Sequence, residues 1–120
     1  MIKKMSNEDI ITAVNRLTNF KRSKNKNPVK LMYLINRNLE HLRSASKPFE
    51  DSRKEILSKY CDVKGGKVVP HEGEKEIAES ELKELLEIEI DIDIYQLPLK
   101  DIEGMALSGD EFDAIDFMIE

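Results

Sequence analysis

Met32, Ile35, Leu39, Leu42, Phe49, Ile56 and Tyr60 are separated by alternating steps of three and four once Ser46 and Arg53 are counted as polar occupants of the same row. A row of this kind, sustained over four heptads, predicts one long helix packed along a seam and commits about a quarter of the chain to a single rod. Asn27 followed by Pro28 supplies a start signal, a cap with proline at the first helical position, where a missing N–H costs nothing. Pro48 interrupts the rod, because an interior proline removes a hydrogen bond and clashes with the preceding turn. We therefore expect a kink or short break near Ser44 to Lys47, with Lys47 driven towards extended geometry. The seam can serve an internal core or, alternatively, a homodimer.

The other elements follow from local signals. Ser6 and Asp9 form a capping-box start, and Ile10, Ile11, Val14, Leu17 and Phe20 recur at helical spacing, which predicts a helix from about Asn7 to Asn19. Between the short β-branched segments of residues 61–70, Gly65-Gly66 signals a tight hairpin. Helical spacing returns over Glu74 to Glu87 in Ile77, Ala78, Leu82, Leu85 and Leu86. Residues Ile88 to Tyr95 then alternate strictly, with isoleucine at the apolar positions, and so predict a strand. A short turn around Ile102 to Met105 follows, then a second capping box, Ser108 with Glu111, opening a final helix whose Phe112, Ile115, Phe117, Met118 and Ile119 dock on the core. The expected fold class is α+β: a long bent helix with a short N-terminal helix, a small β-hairpin plus one alternating strand, and two short C-terminal helices. The hairpin and the alternating strand are expected to pair, with the isoleucine face on the Met32, Ile35, Leu39, Leu42 seam.

A chain of 120 residues forms one domain, here with a basic helical region over residues 1–60, a hairpin over 61–70 and an acidic helix–strand–helix region over 71–120. Residues 1–70 carry 16 Lys/Arg against 7 Asp/Glu, a net of +9; residues 71–120 carry 3 against 17, a net of −14. Such asymmetry points to electrostatic contact, between the halves or with a partner. No apolar run approaches the ~18 residues of a membrane span, no secretory signal is visible, and the lone Cys61 suits a reducing compartment, so a cytoplasmic site is expected.

Candidate chemistry is sparse. Glu87, Glu89, Asp91 and Asp93 stand at alternate positions and would line one strand face about 6.6 Å apart. Such a row could hold Mg²⁺ or Ca²⁺, but no histidine, loop glycine or second acidic motif accompanies it at ligand spacing, so a solvated or cation-paired face is the reading. His41 and His71 stand in no zinc arrangement and are expected at the surface. Nothing pairs a nucleophile with a base, and no phosphate-binding loop or dinucleotide fingerprint is present. The chain is expected to be non-enzymatic, with no cofactor and no metal.

Residues 21–30 hold Lys21, Arg22, Lys24, Lys26 and Lys30, a basic loop able to neutralise phosphates. It lacks stacking aromatics apart from Phe20, and the acidic half repels a polyanion, which weighs against nucleic acid. The reverse arrangement is an acidic surface built from Glu87, Glu89, Asp91, Asp93, Asp110, Asp113 and Asp116 that mimics nucleic acid and engages a basic protein.

The order of a capped helix at Ser6-Asn7-Glu8-Asp9-Ile10-Ile11, a long charged helix ending Glu55-Ile56-Leu57-Ser58-Lys59-Tyr60, a glycine hairpin, Leu85-Leu86-Glu87-Ile88-Glu89-Ile90, and the ending Phe117-Met118-Ile119-Glu120 resembles small proteins of unknown function encoded by phages and prophages of Gram-positive bacteria. That family carries no assigned catalytic residues. The resemblance implies a phage context, in which a protein of this size would inhibit host machinery, defence systems included, or serve as a self-associating virion assembly factor. The leading expectation is an inhibitor or antagonist that binds a host protein through its acidic surface, in the host cytoplasm.

Overall fold

The computed structural model describes residues 1–23 and 27–120. Its first element is a strand, β1 (Ile2–Ser6), followed without a gap by α1 (Asn7–Ser23). The junction is held by the predicted capping box: the Asp9 amide donates to Ser6 Oγ at 3.0 Å and the Ser6 amide to Asp9 Oδ2 at 3.2 Å. The helix runs one turn beyond the expected end, which puts Lys21 and Arg22 in its last turn and out of the loop. Cations there offset the helix dipole, a reason for the helix to continue through them.

The seam forms α2 (Val29–Tyr60), 32 residues long and continuous through Pro48. Pro28 stands at the cap, so the helix begins one residue later than Asn27-Pro28 implied, and no side chain caps it. The expected break near Ser44 to Lys47 is absent, and Lys47 is helical. Ser44 and Pro48 are both exposed, so the Ser44 carbonyl deprived of its N–H partner is on the water side of the rod. Ile35, Leu39, Leu42 and Phe49 are buried as predicted, joined by Leu31 and Asn38, while Met32, Ile56 and Tyr60 are half-buried.

After α2 come β2 (Cys61–Lys64) and β3 (Lys67–Pro70), an antiparallel hairpin turning on Gly65 and Gly66, whose φ values of 58° and 79° are the positive pair that such a tight turn needs. Next are α3 (Lys75–Glu87) and β4 (Glu89–Asp93). The alternating strand does not join the hairpin. It pairs antiparallel with β1, from Ile2 opposite Asp93 to Ser6 opposite Glu89, so the described residues form two separate two-stranded sheets. Sequence reasoning missed β1 because only Met5 of its five residues is buried and two of the others are lysines. A 3-10 turn (Leu99–Asp101), the short helix α4 (Gly109–Ile115) and a second 3-10 turn (Asp116–Met118) finish the chain. The Ser108–Glu111 capping box forms at the start of α4.

One core joins these elements: Ile10, Leu17 and Phe20 of α1, Leu31, Ile35, Leu39 and Leu42 of α2, Ile92, Ile94 and Leu97 of the strand segment, and Ile115 and Met118 of the ending. The isoleucine face thus meets the seam as expected. The end docks through backbone as well, Leu97 N–H donating to the Met118 carbonyl at 2.8 Å and Glu120 N–H to the Leu97 carbonyl at 2.9 Å. Beyond this core α2 projects onward, and α3 packs against its far half near the buried Phe49, Ala78 and Leu85. The molecule measures 56 × 30 × 21 Å, with the hairpin following the end of the rod.

Candidate functional site

Glu89, Asp91 and Asp93 leave the same exposed face of β4. Glu87 does not belong to that strand row; it is the last residue of α3, since the helix runs until Ile88 turns extended. The register sets Lys4 opposite Asp91, with Nζ and Oδ1 3.9 Å apart, and the N-terminal amine lies 3.2 Å from Asp93 Oδ1. Both contacts are solvent-exposed, so each contributes little beyond local charge balance. Among the described residues Glu87 and Glu89 have no cationic partner, nor do Glu76, Glu79 and Glu84 of α3. The strand face therefore continues an acidic side of the helix before it.

Asp110, Asp113 and Asp116 are exposed on α4 and the turn after it, in a different setting. Asp113 and Asp116 line a groove of about 320 Å³ with Lys3, Lys4, Asp9 and Arg16, while Asp110 and Asp113 border a neighbouring groove of about 430 Å³ together with Arg16. Lysines of β1 thus stand between the strand acids and the C-terminal acids. The seven acids predicted as one surface form two, because the strand partner that sequence reasoning missed carries those lysines.

Of the predicted basic loop, Lys24 and Lys26 lie outside the described residues. Lys30 is in the first turn of α2, with Nζ 2.8 Å from Asp101 Oδ2. Lys21 and Arg22 are exposed on α1.

Both histidines are engaged, against the expectation of plain surface residues. His41 Nδ1 lies 2.8 Å from the Asp93 carbonyl oxygen, and its ring meets that of Tyr95 at 5.2 Å between centroids. Arg37 approaches the same tyrosine from one turn earlier on α2: its Nη2 donates to Tyr95 Oη at 2.7 Å, a bond that holds the guanidinium above its ordinary pKa. Between them Asn38, wholly buried, donates from Nδ2 to the Tyr95 carbonyl at 3.0 Å and accepts the Tyr95 N–H on Oδ1 at 2.7 Å. One side chain thus satisfies both backbone groups where the strand ends. Asn7 acts similarly at the other end of the strand, donating from Nδ2 to the Leu85 carbonyl at 2.8 Å while its own amide donates to the Ile88 carbonyl at 3.0 Å.

His71 bridges two elements. Its Nε2 is 3.0 Å from Asp62 Oδ1 on β2, and its Nδ1 is 3.1 Å from Glu74 Oε2 at the start of α3. Two carboxylates facing two ring nitrogens favour the imidazolium, which alone donates from both. The bond to Asp62 first, then that to Glu74, raises the histidine pKa, and His71 in turn lowers that of Asp62. Sequence spacing hid this clasp, since Asp62 and His71 meet only once the hairpin has folded.

Among the described residues, no group of three or more His, Cys, Asp or Glu is placed to hold a metal ion, and no helix is long and apolar enough to cross a membrane. Comparison with family models, curated proteins and solved structures found no match to this chain.

Proposed function

We propose that this chain is a non-enzymatic, phage-type protein that binds another protein, an inhibitor or antagonist of a host system, and that its contact surface is the acidic side formed by α3 and β4. The resemblance of its residue pattern to phage and prophage proteins supports the context. One structural observation supports the choice of surface: among the described residues only two lysine–carboxylate contacts within 4 Å, Lys4–Asp91 and Lys30–Asp101, join the basic first seventy residues to the acidic last fifty, with Lys59 adding a longer-range attraction to Glu81 and Glu74. The fold leaves most of its charge asymmetry open, and an acidic field of this kind accelerates and selects association with a basic surface.

The test is capture from a nuclease-treated lysate of Gram-positive bacteria, comparing the chain with a variant bearing Glu84→Lys, Glu87→Lys and Glu89→Lys. These side chains are exposed, so the variant should melt as the parent does. A host protein retained by the parent and lost by the variant supports the reading. Retention by both at moderate salt overturns it.

A further inference from the structure

The hairpin is open to solvent: every residue from Asp62 to Pro70 is exposed. Directly opposed residues of an antiparallel pair share a face, so Cys61, Val63, Val68 and Pro70 form one side and Asp62, Lys64, Lys67 and Val69 the other. Only Cys61 of the first group is buried; Val63 is 76% exposed and Val68, its cross-strand neighbour, 49%. Beside this apolar face a cleft of about 480 Å³ opens towards the last turns of α2, lined by Lys54, Leu57, Ser58, Cys61, Val63 and Val68. Its remaining wall residue, Asp62, is already held by His71. Lys54 and Lys67 have no acidic partner among the described residues, and exposed Lys64 is near enough to Asp62 to help lower its carboxyl pKa without a direct ion pair. The lining takes three consecutive residues, 61–63, from β2 and only Val68 from β3, so the outer edge of β2 borders the cleft. That edge has no strand neighbour among the described residues.

We propose that the edge of β2 receives an extended segment of a partner protein in which acidic and apolar residues alternate. Strand addition sends successive side chains to opposite faces. The apolar ones would then cover Val63 and Leu57, and on the other face a carboxylate would meet Lys64, with the long side chain of Lys67 reaching across from β3, while Asp62 on that face stays engaged by His71. Charge selects this occupant over a second copy of the chain, since a second hairpin would bring its own lysines against these, the device by which exposed edges resist self-pairing. The protein's own alternating strand does not qualify either, because Ile92 is buried and that strand already pairs with β1. This interface is separate from the acidic side of α3 and β4 and stands whether or not that surface is a contact.

Fluorescence anisotropy with a labelled peptide of alternating glutamate and leucine tests the proposal, beside the same peptide with lysine for glutamate. Saturable binding of the glutamate peptide is expected, weakened about tenfold or more by Val63→Asp and by the pair Lys64→Glu, Lys67→Glu, with the lysine peptide failing to bind. Val63 is exposed, so its variant keeps the fold, which far-UV circular dichroism checks. Equal binding of the two peptides overturns the proposal, as does binding indifferent to both variants or no binding at all. A concentration-dependent dimer in sedimentation velocity that Val63→Asp dissolves would assign the edge to a second copy and overturn it too.

Discussion

Asn38 shows how one side chain can join a strand to a helix. It replaces a missing strand neighbour for Tyr95, accepting the N–H and donating to the C=O from inside the core. Asn38→Leu keeps the branched outline, with bulkier methyl groups, but leaves both groups without a partner, so we expect a loss of about 2 kcal/mol or more in urea unfolding. Leu39→Asp and Ile92→Asp should abolish the cooperative thermal melt, because an unpaired carboxylate buried here costs more than the ~5 kcal/mol at the lower end of domain stability. Unchanged melting of either would refute the packing of β4 on the seam. The seam's apolar members were readable from spacing, whereas Asn38 was not, because a polar residue off the main row is scored as solvent-facing. A parallel row, Leu31, Ile35, Asn38, Leu42, Ala45, Phe49, would have marked it as a buried amide in need of partners.

Elements show the same division. α2, the hairpin and β4 each carry a periodic or turn signal of their own and were legible. β1 carries none, and it is a strand because β4 offers it a ladder. Proline rules mispredicted α2 at Lys47 because they price the lost bond without asking where the orphan carbonyl points. Pro48→Ala should therefore stabilise the protein, by at most the ~3 kcal/mol that separates the two residues in a helix interior, seen as a higher melting temperature. The His71 clasp makes hairpin stability depend on pH. The folded histidine binds its proton more tightly than the unfolded one, so its contribution is complete below its ordinary value of 6.5 and fades as pH rises through the higher folded value. Asp62 is lowered below 3.8, so its contribution is present above that value and fades as pH falls through the folded one. Hydrogen exchange of hairpin amides should thus be slowest, after correction for intrinsic rates, between those limits and accelerate as pH rises past the upper one. His71→Gln should flatten the alkaline limb.

At the scale of the whole molecule, elongation and charge act together. The Cα radius of gyration, 17.6 Å, exceeds the ~14 Å of a compact domain of this length, and small-angle scattering should return the larger value. The split between +9 and −14 was visible in the sequence, but its spatial outcome was not, since it turns on where β1 sets Lys3 and Lys4. Because the acids are exposed, partner capture through α3 and β4 should weaken steeply with salt as screening shortens to ~8 Å near physiological strength.

The long helix has one more consequence. From His41, where β4 lies against it, to Tyr60, where the hairpin begins, α2 advances about 28 Å at 1.5 Å per residue. It is helical throughout that interval, Pro48 included. A body gripped at the acidic strand and another gripped at the hairpin would be kept at a set spacing and a set mutual angle, as by a bracket.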